Sequence, residues 1–222
     1  MSFYDMATKL QILQTEGRYN AQYIDEILDA VSLTADDELP MPSLLRFQLM
    51  QKLHCLGLFA VPCWDWVEKF AQLVKGKRVL DFGAGTGIIT AMLRRLGIAS
   101  VAVDIDEWKM PRLIDDLIVA DGLEYLSIYK GMFDVLFVGW PPMNETCKMA
   151  CDLFFDEGKE IFYLGENRDG CTADMGFFDA YSLEQIDVGY RPLFGVYDQM
   201  FRVCWKRGEA VEEVREKELE VV

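Results

Sequence analysis

The chain has 222 residues, of which 51% are hydrophobic and 27% charged, with a formal net charge of −15. This composition belongs to a folded globular protein and excludes a disordered one. No apolar run reaches the length of a membrane span, and so acidic a chain makes nucleic acid a disfavoured partner.

The opening residues, "MSFYDMATKLQ", lack the basic-then-apolar order of a secretory leader, so the expected compartment is cytoplasmic. The six cysteines show no paired motif spacing and are expected to be reduced, buried thiols with no metal role. Residues 1–75 form an N-terminal helical segment. "MATKLQILQ" and "AQYIDEILDAV" place apolar side chains three and four residues apart, as do "SLLRFQLMQKLHCLGLF" and "CWDWVEKFAQLV" after an acidic, proline-containing break at 34–42. His54, the single histidine, sits within such an apolar pattern and reads first as a packing residue.

The rhythm changes over residues 76–206. Short β-rich runs occur at 78–83, 100–105, 117–121, 133–140 and 160–166, most of them separated by helical patterns. That alternation predicts an α/β, doubly wound, mostly parallel sheet. The runs "QIDVGYRPLF" and "QMFRVCWKR", joined by "GVYD", predict a closing antiparallel pair. Residues 207–222 form an acidic tail, with six acids against two bases after Gly208.

The first strand runs into "DFGAGTG", Asp81 to Gly87. A dinucleotide turn of the NAD type needs G-x-G-x-x-G, but here the third glycine arrives one residue early, at Gly87, and Ile88 stands where it is required. Glycines at this spacing allow a ligand to approach the backbone closely.

An acid, any residue, then G-x-G-x-G resembles the first motif of the class I S-adenosylmethionine-dependent methyltransferases. The resemblance covers roughly residues 76–205 and implies a Rossmann-like sheet and S-adenosyl-L-methionine (SAM) or its product S-adenosylhomocysteine (SAH) as ligand. Asp81, Gly83, Gly85, Thr86 and Gly87 would meet the methionine part. Asp104, followed by Ile105, would hold the ribose hydroxyls, Asp121-Gly122 the adenine, and Gly139, at the end of the fourth strand, would also contact the cofactor. The N-terminal helices would act as a lid, with Trp64 and Trp66 as candidates for closing the pocket.

After the fourth strand, Gly139 and "WPP" (Trp140, Pro141, Pro142) resemble the fourth motif of methyltransferases that act on amino nitrogens, with Trp140 in place of the polar residue and Met143 in place of the aromatic. The proline pair fixes a rigid turn there. Glu166, at the end of the fifth strand, is the candidate substrate ligand or base. Trp140, Pro141, Pro142 and Glu166 are therefore the candidate catalytic group. The expected activity is methyl transfer to a small molecule or protein side chain, for which the acidic surface suits a cationic substrate. The alternatives are a nucleic-acid amino-methyltransferase acting through "GWPP" and a non-catalytic SAM-binding module.

Overall fold

A computed structural model describes residues 3–31, 43–105, 109–156, 158–168, 170–192 and 198–206. The predicted break at 34–42 and the acidic tail lie outside the described residues. Helices α1 (Phe3–Thr15), α2 (Ile24–Ala30), α3 (Ser43–Cys55) and α4 (Trp64–Leu73) precede the sheet. Strands β1 (Arg78–Phe82), β2 (Ala99–Asp104), β3 (Ile118–Val119), β4 (Val135–Gly139) and β5 (Glu160–Gly165) then follow. They alternate with α5 (Ile88–Arg95), α6 (Gly122–Tyr129) and α7 (Thr146–Phe154), and the chain continues through α8 (Met175–Ala180), β6 (Tyr181–Gln185) and β7 (Gln199–Trp205).

The seven strands lie in the order β3-β2-β1-β4-β5-β7-β6. All neighbours through β5 are parallel, and β7 enters antiparallel between β5 and β6. This is the doubly wound, Rossmann-like sheet with an antiparallel C-terminal pair that the methyltransferase resemblance implies. β4 is central and buried on both faces over Val135–Val138, as its unbroken apolar run requires. On one face Val79, Phe137, Phe162 and Leu164 share a core with α1–α5. The Phe70 ring of α4 lies 5.2 Å from both Phe137 and Phe162. On the other face Leu80, Leu136, Tyr163 and Phe201 pack against α6, α7 and α8.

Three expectations need correction. The penultimate strand is Tyr181–Gln185, and residues 186–192 of "QIDVGYRPLF" continue beyond it as irregular chain. Gly189 there takes φ 73°, its N–H donates to the Asp187 side chain at 2.9 Å, and Pro192 has no N–H to offer a ladder. The predicted strand at 117–121 reduces to Ile118–Val119, because Asp121 leaves the sheet to cap α6. Of the cysteines, Cys63, Cys147 and Cys151 are buried, but Cys55 and Cys171 are exposed. Among the described residues no helix is long and apolar enough to cross a membrane, and no group of three or more His, Cys, Asp or Glu is arranged to hold a metal.

Candidate functional site

In a parallel sheet, ligands gather outside the carboxyl ends of the strands where the strand order reverses, which here is between β1 and β4. The loop leaving β1 has an unusual backbone. Gly83, Gly85 and Gly87 take φ of 69°, 55° and 78°, all in the left-handed region that only glycine enters without strain. The turn is tied to its surroundings at several points. Gly83 and Ala84 donate their N–H groups to the Val103 carbonyl at 2.9 and 3.1 Å, Leu113 N–H donates to the Thr86 carbonyl at 2.9 Å, and Gly85 N–H donates to Asp104 Oδ2 at 2.8 Å.

The three glycines serve different purposes. A Cβ on Gly83 would meet no described heavy atom within 4 Å, and one on Gly85 would meet only the Gly57 carbonyl oxygen at 3.9 Å. Both face open space. A Cβ on Gly87 would lie 2.8 Å from the Ile114 side chain, so that glycine is needed for packing. Thr86 is buried beneath the turn, against the close approach of Gly57.

Asp81 lies deeper than a strand-end acid reading suggests. It is 3% exposed, and Thr90 Oγ1 of α5 donates to its Oδ2 at 2.7 Å. Burial first, and the nearby Asp104 carboxylate more weakly, push its carboxyl up to about 7. Asp104 stands at the end of β2 beside Ile105, whose apolar side chain is 57% exposed. A carboxylate carries about four acceptor positions, so the Gly85 bond does not exhaust it. Asp121 Oδ1 accepts from Leu123 N–H and Glu124 N–H, both at 2.9 Å, as the N-cap of α6. Gly122 admits the Phe82 ring, since a Cβ there would meet it at 2.7 Å. The Asp-Gly pair thus has a structural reason of its own.

Further along the edge, Gly139 ends β4, and Trp140 N–H donates to the Leu164 carbonyl at 2.8 Å. Trp140 has φ 51°, a strained value for a bulky residue and one that clusters at functional sites. The Pro141 carbonyl accepts from Ala173 N–H at 3.2 Å, and Asn144 N–H donates to the Pro142 carbonyl at 2.8 Å, so the proline turn is anchored to the loop after β5. Glu166 is 5% exposed; its N–H donates to Thr172 Oγ1 at 2.8 Å, and its carboxylate accepts from Cys171 N–H. Met143 is 65% exposed.

Neither tryptophan expected to close the pocket stands at the strand edge. Trp64 and Trp66 are buried in the core, donating their indole N–H groups to the Leu28 and Val61 carbonyls at 3.3 and 3.0 Å. His54 and Phe59 instead stand by Trp140, with ring centroids 6.5 and 6.4 Å from it and 4.8 Å from each other. Burial lowers the His54 pKa, which favours the neutral imidazole.

Two further residues escaped sequence reading. The β5–β7 register pairs Gly165 with Gln199, which sets Asp198 beside Glu166. Asp198 is 2% exposed, and burial, with Glu166 next in effect, pushes its carboxyl up to about 7. Tyr190 is buried edge-on to Trp66, with its phenol pKa raised by burial. Trp140 Nε1, the Tyr190 hydroxyl and Asp198 Oδ1 approach one another, yet none closes a hydrogen bond of acceptable geometry.

No protein-family model matches the chain. A ribosomal protein L11 methyltransferase of Porphyromonas gingivalis is 56% identical over 36 residues, which cover 16% of this chain and 12% of that protein. Its counterpart from Bordetella parapertussis is 42% identical over 55 residues, covering 24% and 17%. The matches therefore span less than a fifth of these relatives' length. Among solved structures, a SAM-dependent methyltransferase from Agrobacterium tumefaciens aligns over 64% of this chain and 61% of its own, at 10% identity and TM-score 0.40. A ribosomal protein L11 methylase from Lactobacillus delbrueckii subsp. bulgaricus aligns over 64% and 77%, at 15% identity and TM-score 0.40.

Proposed function

We propose that the chain is a SAM-dependent methyltransferase whose acceptor is a small molecule or a protein side chain. The observation that carries this reading is the Gly83–Gly87 turn, with three left-handed glycines, two of them facing open space, and an acid from β2 bound to the middle one. A ligand with an amino-acid end and a ribose fits that donor set. Gly83 and Gly85 let the backbone approach the first part, and Asp104 accepts from the hydroxyls of the second. Ile105 and Asp121-Gly122 would flank the base, while Asp81, buried under the turn and bound to Thr90, positions the turn. When bound, the cofactor supplies an electrophilic methyl group on a sulfonium.

Gly139 and Trp140, held by Pro141 and Pro142, and Glu166 would face the acceptor from adjacent strand ends. The names of the matched L11 methyltransferases favour a protein acceptor. A second reading, a SAM-binding module without turnover, draws on Trp140 standing where a polar side chain is expected and on Glu166 being held by Cys171 N–H. The test is release of SAH from SAM on addition of a panel that includes ribosomal protein L11 and small cationic amines. Release with any one of them supports the enzyme; tight SAM binding with no release across the panel supports the module.

A further inference from the structure

Beyond the turn, the carboxyl edge of the sheet holds a second polar centre. Asp198, just before β7, and Glu166, just after β5, stand side by side and are 2% and 5% exposed. Folded proteins rarely bury two carboxylates together without cations or donors to balance them. Glu166 has the Cys171 N–H, but Asp198 Oδ1, the Tyr190 hydroxyl and Trp140 Nε1, though near one another, are buried without closing a well-formed hydrogen bond. Three such atoms, from three separate chain segments, converge at one place, which is unusual for a folded chain. Beside the centre, Phe59 is 42% exposed, His54 is half-buried, and both rings neighbour the partly exposed Trp140.

We propose that Asp198 and Glu166, with Tyr190 and Trp140, form a binding subsite for an aliphatic amine that enters past His54 and Phe59. The carboxylates supply charge and acceptors for the N–H groups, and the aromatic rings line the path with faces that attract a cation and pack on a slender methylene stem. As the acceptor site, the subsite rests on the methyltransferase reading; as an amine site, it can be tested without it.

The test is calorimetric titration of the full chain with n-pentylamine, with 1-pentanol as its uncharged counterpart, and a parallel titration with SAH. Wild type should bind n-pentylamine saturably at one site and 1-pentanol at least ten-fold more weakly. Asp198→Asn should bind the amine at least ten-fold more weakly while its SAH affinity stays within two-fold. Generic attraction to so acidic a surface would barely notice one lost carboxylate, so equal amine affinity in wild type and Asp198→Asn would overturn the proposal. So would the absence of saturable amine binding. Should Asp198→Asn fail to fold, Tyr190→Phe and Glu166→Gln serve in its place, each with an expected loss of three- to ten-fold. Failure to bind SAH would overturn the cofactor reading and leave the amine result to stand or fall by itself. An acetylated lysine tripeptide that binds as well as n-pentylamine would identify the source as a protein side chain. Binding of the free amine alone would identify a small molecule.

Discussion

Adding one methyl group at Gly85 and, separately, at Gly87 tests whether the turn after β1 is built for a ligand. Both glycines are left-handed, so alanine at either position costs about 1–2 kcal/mol. At Gly85 the new Cβ would meet only the Gly57 carbonyl oxygen, at 3.9 Å, and the cost ends there. In a chain of this size that amounts to a Tm fall of roughly 2–8 °C. At Gly87 the Cβ would lie 2.8 Å from Ile114, which is itself 7% exposed and has little room to move. Overpacking adds about 1–3 kcal/mol, giving roughly 2–5 kcal/mol in all. The assay is urea unfolding of each variant, read as a change in midpoint at constant slope, beside SAH titration. Gly85→Ala should lose only that strain cost of about 1–2 kcal/mol in stability and at least ten-fold in SAH affinity, because its methyl occupies the space the ligand needs. Gly87→Ala should be the less stable of the two. Wild-type SAH affinity in Gly85→Ala, or equal destabilisation by both changes, would refute the reasoning.

Asp104→Ala removes the acceptor of Gly85 N–H, a charge-assisted bond worth about 1.5–3 kcal/mol, and should lower SAH affinity at least ten-fold with an unchanged circular dichroism spectrum. Asp81→Asn should raise stability more at pH 8 than at pH 5. The native carboxyl, pushed up to about 7, holds its proton more tightly than the unfolded chain does, so its contribution is complete below about pH 4 and is lost as pH rises through 7. Of a full swing on the order of 4 kcal/mol, about 2–3 kcal/mol falls between pH 5 and pH 8, and urea midpoints of both proteins at the two pH values measure it. Asp121→Ala removes the cap of α6 and should cost about 1 kcal/mol in thermal or urea unfolding, with a fall in SAH affinity beside it.

The sheet was legible because its signal is local. Unbroken apolar runs such as Val135–Val138, short and rich in valine and aromatic residues, suit central parallel strands, and the helical patterns between them fix the crossovers. The glycine turn was legible for a similar reason, since its backbone angles need glycine at consecutive odd positions. Legibility failed where position depends on partners distant in sequence. Asp198 sits in what reads as a turn, and only the antiparallel register of β7 against β5 brings it beside Glu166. An acid immediately before the closing strand was the available signal, because that strand begins where the parallel ones end. His54 and Phe59 belong to a pattern that reads as core, and tertiary packing places them at Trp140 instead. Trp64 and Trp66 are pocket-closing candidates only through the resemblance to a family with an N-terminal helical lid, and their indole N–H groups are satisfied inside the core. Tyr181–Gln185 was overlooked as a strand because three of its five residues are polar and exposed.

The most direct test of the central claim is calorimetric titration of the purified chain with SAH and, in parallel, with NAD. Gly87 one residue early, Ile88 in the place of a dinucleotide glycine and Asp104 on the central glycine predict saturable SAH binding at one site and no heat from NAD. Binding of NAD with equal or greater affinity, or of neither ligand, would contradict the account.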